Sequence, residues 1–376
     1  MLTGFCTRLR AAISLAIPAL AWSAGLAAAL PAVDPPVRTV SIDHFQDFLG
    51  VDGDGFYYSA STTQFVVSLQ TLPLGGEPPT GRPVSFPAGF KPLGVAKGKI
   101  YGFMALNGGL SQDVFRAFDA ETQQEVASYP LVRSQSYGIL RFEDGCIFHR
   151  QFSTGATVTL VHFDAASRGI SETTFNSGTL GRFSSARLVG RGEDWLAFQV
   201  SELQGRHELI TVDATTLAKK VGVTIPGSPV SSPIEASGAD THFQILENGE
   251  VLAVDVHRGV STSIGKAEEG AVRYAQFIAA RGDVLWVQGR LQQPGFGPSE
   301  LQMWRKDAGG RWKMEFRGHP GRAAMFDNPF RDLIATENGC FSKGENVVDY
   351  YVPALSRPIL MMPTAAPTLT TTWPAD

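Results

Sequence analysis

Beyond residue 32 the chain is built from short runs in which apolar and polar residues alternate, each closed by Gly, Asp, Asn or Pro. Alternation puts successive side chains on opposite faces of a strand, whereas a helix needs an apolar residue at every third or fourth position. The pattern predicts an all-β fold. One unit recurs, a strand-like run, a glycine turn and a second run: FQDFLGVDGDGFYYSA, PLGVAKGKIYGFMAL, YGILRFEDGCIFHRQF, ARLVGRGEDWLAFQV, PIEASGADTHFQIL, YAQFIAARGDVLWVQG and DLIATENGCFSKG. The turn glycines are Gly53, Gly98, Gly145, Gly192, Gly238, Gly282 and Gly339, spaced 45, 47, 47, 46, 44 and 57 residues apart. Each unit continues into a third and a fourth run. Four short strands per unit, at a period in the forties, predict a seven-bladed β-propeller with four-stranded blades.

A second phrase marks the end of the third run: FRAFDAETQQEV, LVHFDAASRGIS and LITVDATTLAKK. In each an Asp (Asp119, Asp164, Asp213) is followed by Ala and a polar turn, and Asp307 stands in a similar place. A short carboxylate there accepts backbone N–H groups where the chain reverses, so these residues read as turn formers and not as catalysts.

With these phrases and the turn glycines, residues 40 to 360 resemble extracytoplasmic seven-bladed propellers of the YVTN and quinoprotein-like kind. The resemblance implies the fold. Its members include cofactor enzymes, ring-opening and hydrolytic enzymes and non-catalytic binding or assembly proteins, so it implies no one reaction. The tryptophan-rich blade signature of the PQQ dehydrogenases is missing.

The first residues refine the organisation. Arg8 and Arg10 precede an apolar stretch that carries no charge until Asp34, with small residues at Ala27 and Ala29. This is the order of a secretory signal peptide, expected over 1–32, with a retained membrane anchor as the alternative. The propeller is then expected over 37–362, with the Pro- and Thr-rich PTAAPTLTTTWPAD (363–376) as a flexible tail. A periplasmic or secreted location follows, with no stable membrane insertion after cleavage. Loss of Arg8 and Arg10 takes the formal charge from -4 to -6. A mildly acidic chain with no basic run argues against nucleic acid as a partner.

Candidate chemistry is sparse. No phosphate loop, dinucleotide fingerprint, HExxH helix or nucleophile elbow occurs. Cys146 and Cys340 sit in matching phrases, EDGC and ENGC, of the third and seventh units. Equivalent positions so far apart in a ring are expected to remain separate thiols in preference to a disulfide, which needs Cα atoms within about 7 Å. Asp52 and Asp54 offer too few oxygens for a calcium loop. No metal site and no cofactor are predicted.

Counting four residues from the unit glycines aligns His149 and His242 with Tyr57, Trp286 and Lys343. If those second strands lean toward the axis, the set would line a pocket for an anionic or sugar-like ligand, or one for acid–base work. Core packing is the competing expectation for the histidines, and it is the one made for Trp195 and Trp286. The connector RGHPGRAAMFDNPFRD adds Arg317 and Arg322 as candidates for gripping a carboxylate or carbohydrate. The reading favoured is an exported binding module for a protein or glycan partner. The alternative is an extracytoplasmic lyase, hydrolase or quinoprotein-like oxidoreductase with its site at the axial mouth. Two imidazoles facing one open pocket would favour the enzyme, and core-facing imidazoles the binding module.

Overall fold

The computed structural model describes residues 38–41, 45–52, 55–60, 63–68, 82–106, 112–132, 137–150, 155–202, 205–229, 240–264, 274–281, 283–290, 299–318, 333–335, 339–344 and 347–351. All of them belong to the compact unit Val33–Asp376. The alternating runs become strands, and the strands form seven antiparallel sheets, the blades of a seven-bladed β-propeller. Blades 1 to 4 and 6 each take four consecutive strands. In blade 3 these are Tyr137–Phe142, Gly145–Arg150, Thr157–Asp164 and Gly169–Asn176, and in blade 4 Ser185–Arg191, Trp195–Ser201, His207–Asp213 and Lys219–Ile225. Blade 5 shows Thr241–Ile245, Val251–Asp255 and Val260–Ser263. Its expected inner strand falls outside the described residues, as do the expected signal peptide, the tail and most of RLQQPGFGPSE. Among the described residues no helix is long and apolar enough to cross a membrane.

Blade 7 is assembled from both ends of the propeller. Leu333–Ala335, Cys340–Gly344 and Val347–Tyr351 supply three strands, and Arg38–Ser41 adds the outer one, with Val40 opposite Val348. Part of the stretch VRTVSIDHF thus completes the last blade.

Inner strands of adjacent blades lie side by side, Phe45–Asp52 beside Phe90–Ala96 and Tyr137–Phe142 beside Ser185–Arg191. Burial then falls off toward the rim. In blade 3 the second strand GCIFHR is buried except at its last residue, while the outer strand GISETTFN is mostly exposed. A strand with neighbours on both faces has no solvent side, so it reads as a nearly continuous apolar run. Every described core cluster bridges two neighbouring blades. Trp195 packs between blades 4 and 5 and Trp286 between blades 6 and 7, both fully buried. Burying side chains of this size contributes about 1.5–3 kcal/mol each.

Cys146 and Cys340 are buried and not joined in a disulfide, as their matching positions predicted. Burial pushes the Cys146 thiol well above its ordinary range.

The Asp turns are structural. Asp119 Oδ1 accepts the N–H groups of Glu121 and Thr122 at 3.0 and 2.9 Å, and Asp213 Oδ1 those of Thr215 and Thr216 at 3.0 and 2.8 Å. These donors, Thr216 foremost, lower the Asp213 carboxyl to about 2. The residue after the Asp bonds back to the first hairpin of its blade, Ala120 N to Gly98 O and Ala214 N to Asp194 O. Asp255 makes the same turn with His257 and Arg258, and the expected Ala is Val256 there. Asp307 stands two ladder positions further on, since Arg305 and not Asp307 pairs with the first residue of its second strand, as Asp119 does with Lys99. The fourth residue after the Asp is left-handed in four blades: Gln123, Arg168, Leu217 and Gly259.

Candidate functional site

Ladder register decides which of the aligned residues share a face. Counted from the residue of the second strand that pairs with the turn Asp, His149 is four places along and His242 only one, because Gly145 pairs with Asp164 and Thr241 with Asp255. An odd separation puts the two imidazoles on opposite faces of their blades. Spacing from the unit glycines misaligned them because the glycines do not hold one ladder position: Gly145 itself pairs with its turn Asp, whereas Gly238 precedes by three residues the Thr241 that pairs with Asp255.

His149 faces blade 4 from blade 3. Its Nδ1 lies 3.0 Å from the Arg150 carbonyl, and the Leu188 N–H of blade 4 points to Nε2 at 3.4 Å. One nitrogen meets an acceptor and the other a donor, which specifies a neutral imidazole protonated at Nδ1. Burial lowers its pKa, partly offset by the Arg150 carbonyl. His242 faces blade 4 from the other side and is fully buried. Among the described residues neither of its ring nitrogens has a partner in hydrogen-bonding geometry. Burial pushes it down to about 4, Gln244 opposing the shift and the Arg187 charge adding to it.

The other candidates scatter. Tyr57 packs in the core between blades 1 and 2 and Trp286 in that between blades 6 and 7. Burial raises the Tyr57 phenol, with Asp52 adding to the shift. Lys343 holds its place in the second strand of blade 7, opposite Val348. Arg317 is not a connector residue: it lies in the outer strand Trp312–Gly318 opposite Gln302 and is buried. Strand continuation through FRG, where the sequence reading started a loop, carries it inside. Arg322 lies outside the described residues.

Among the described residues the fold brings together two clefts on the face where inner strands begin and second strands end. The larger, about 460 Å³, is bordered by blades 3 and 4 and the entry to blade 5. His149 forms part of its wall, with Arg187, Gln199, Ser201, His207 and Glu247. The Arg187 guanidinium reaches Gln199 Oε1 through Nη2 at 2.6 Å and Nε at 3.2 Å, the two residues being cross-strand partners. Ser201 Oγ and His207 Nδ1 lie 2.9 Å apart. A second cleft of about 250 Å³ between blades 2 and 3 is lined by Tyr129, Tyr137, Arg150, Thr157, Thr159 and Glu172 among others. Tyr137 borders both. Among the described residues no group of three or more His, Cys, Asp or Glu could hold a metal ion.

Sequence reading missed Arg187, Gln199, Tyr129 and Tyr137. Gln199 did carry a signal, a polar residue inside the apolar run WLAFQV, which is unusual for a strand buried on both faces.

No protein-family model and no curated protein matches the chain. Solved structures do. A chain in the crystal structure of the mitotic checkpoint complex superposes with TM-score 0.55 at 8% identity, over 86% of this chain and 94% of that one. The WD40 repeats of RRP9 give 0.52 at 9% identity, over 85% and 99%. BamB from Moraxella catarrhalis gives 0.46 at 14%, over 85% and 89%. At these identities the likeness concerns the fold alone: this chain is an all-β, multi-bladed propeller related in architecture to known β-propeller proteins.

Proposed function

We propose that this protein is an exported, non-catalytic binding module that presents the two-cleft face of its propeller to a protein or glycan partner. The observation that carries the reading is the placement of the histidines. His149 is held neutral by a donor and an acceptor, and His242 is sealed in a different inter-blade gap. Two imidazoles so placed do not form the acid–base pair that an axial enzyme would need. Arg187, Gln199, Ser201 and His207 at the larger cleft stand on strands of blade 4, a suitable support for recognition. Export after loss of 1–32, into the periplasm or the medium, belongs to the same proposal, as does the finer likeness to YVTN and quinoprotein-like propellers, which rests on the turn phrases.

The test uses two buried native thiols as a silent background. Ser185→Cys at the cleft and Ser171→Cys on the outer strand of blade 3 are each labelled with an environment-sensitive dye and titrated with exported proteins and envelope glycans of the producing cell. A saturable change at position 185 alone, lost when Arg187→Ala is added, is the expected result. No response at 185, or turnover of a small molecule that depends on His149, would overturn the reading.

A further inference from the structure

The smaller cleft has a lining of a different kind from the larger one. Tyr129 is the penultimate residue of the outer strand of blade 2, Glu125–Pro130, and Tyr137 is the first residue of the inner strand of blade 3, Tyr137–Phe142. Both rings stand edge-on to the buried Phe148, at centroid distances of 5.7 and 6.5 Å and angles of 69° and 65°. Tyr137 Oη accepts the Val132 N–H at 3.0 Å, and burial together with the neighbouring Glu172 carboxylate raises the Tyr129 phenol to about 12. Packed on Phe148, the rings are oriented before any ligand arrives, so ordering them costs little on binding.

Around these rings stand hydroxyls and one charge of each sign: Thr157, Thr159, Arg150 and Glu172. Opposite charges side by side give the cleft no net preference for an anion or a cation. Side chains that both donate and accept suit a ligand whose surface is a ring of hydroxyls. A protein partner would want a deep apolar hole for an anchor residue. Of the exposed large apolar residues described, Leu106, Val132 and Val260, only Val132 borders this cleft. The volume, about 250 Å³, lies just under the roughly 300–1,000 Å³ of pockets for drug-sized molecules, so one small ring fills it.

Resting on the binding-module reading, we propose that the cleft between blades 2 and 3 is a subsite for an uncharged sugar ring, packed against Tyr129 and Tyr137 and hydrogen-bonded by Thr157, Thr159, Arg150 and Glu172. Tyr137 also borders the larger cleft, so an oligosaccharide seated here has a direct path toward Arg187 and Gln199.

The test is calorimetric titration of the purified protein with maltotetraose, cellotetraose and tetra-N-acetylchitotetraose, and with a library of uncharged hexapeptides. At least one tetrasaccharide is expected to bind, tenfold or more weaker to Tyr137→Ala, Arg150→Ala and Thr157→Ala, and within twofold of wild type to Tyr137→Phe. The exposed Arg150 and Thr157 keep the test decisive if the tyrosine variant folds poorly. Binding of none of the three sugars, or sugar binding untouched by all three variants, overturns the subsite. Sugar binding that responds only to Arg187→Ala, or peptide binding in place of sugar, overturns the subsite while leaving the binding module standing. The dye titration at position 185 judges the module separately.

Discussion

The hydroxyl of Tyr101, on the second strand of blade 2, donates to the carbonyl of Gly145 in blade 3 at 3.1 Å. Tyr101 is 1% exposed, so the bond lies in the apolar seam between blades. Gly94 makes room for it: a Cβ at that position would sit 2.5 Å from the Tyr101 hydroxyl. Tyr101→Phe keeps the ring and removes a buried donor, which costs about 1–2 kcal/mol. The midpoint of urea unfolding should fall accordingly with an unchanged slope. A midpoint equal to wild type would mean that the bond contributes nothing net.

His242 makes stability depend on pH. Its pKa is about 4 in the fold against 6.5 for an ordinary histidine, so between those values the unfolded chain takes up a proton that the folded chain refuses. The stabilisation is complete above pH 6.5 and drains away as pH falls toward 4, a loss of roughly 3 kcal/mol from this residue. His242→Leu abolishes that component. Comparing unfolding free energies of the two proteins from pH 7.5 to 4 should show the variant gaining on wild type as the solution acidifies. A constant difference across that range would rule the mechanism out.

Asp119 combines a turn cap with an ion pair. Beyond the two backbone donors, Lys99 Nζ lies 2.9 Å from Oδ2, and the backbone N–H of Thr122 leads the interactions that hold the carboxyl well below the usual range. Asp119→Ala should cost about 1–2 kcal/mol, mostly from the orphaned turn donors, because a partly exposed ion pair adds little. Asp119→Asn, which keeps an acceptor, should recover most of it in thermal unfolding. Equal losses for both substitutions would make the ion pair the dominant part.

The left-handed slot four residues after the Asp is occupied at a cost in three blades. Gln123 and Arg168 have φ of 59° and 61°, while blade 5 uses Gly259 at 70°. A non-glycine residue there is strained by about 1–2 kcal/mol, some of which glycine returns as extra freedom of the unfolded chain. Gln123→Gly and Arg168→Gly should each stabilise by about 0.5–1 kcal/mol. In the opposite sense, Gly259→Ala should destabilise, since its Cβ would meet Val221 at 2.6 Å. Melting temperatures that fall for the first two would contradict this account.

Among the described residues, one short strand from the other end of the propeller completes blade 7. Arg38–Ser41 pairs with Val347–Tyr351 over four residues, and without it blade 7 keeps three strands. Replacing those four residues by Gly-Ser repeats should cost about 2–4 kcal/mol, at roughly 1 kcal/mol per lost ladder bond. Hydrogen exchange should then rise first at Val347–Tyr351, the strand left exposed. Uniform exchange across all blades would show that closure is not local to that edge.

The blades, their number and their turns were legible in the chain because the interactions that make them are local. Alternation sets a strand, glycine sets a hairpin, and the turn Asp caps N–H groups two and three residues beyond it. Which side chains meet in a cleft is a different kind of property. His149 and His242 are both four residues past a glycine, yet they face opposite sides of their blades, since the two glycines stand an odd number of ladder positions apart. Arg317 reads as loop, but its strand runs on and carries it into the interior. Tyr129 and Tyr137 are ordinary strand-end aromatics in sequence, and only the packing of blade 2 on blade 3 sets both against Phe148 as the wall of one cleft. Register and blade-on-blade packing are fixed by contacts between residues distant in the chain, so a local pattern determines the propeller while the tertiary structure alone decides its surface.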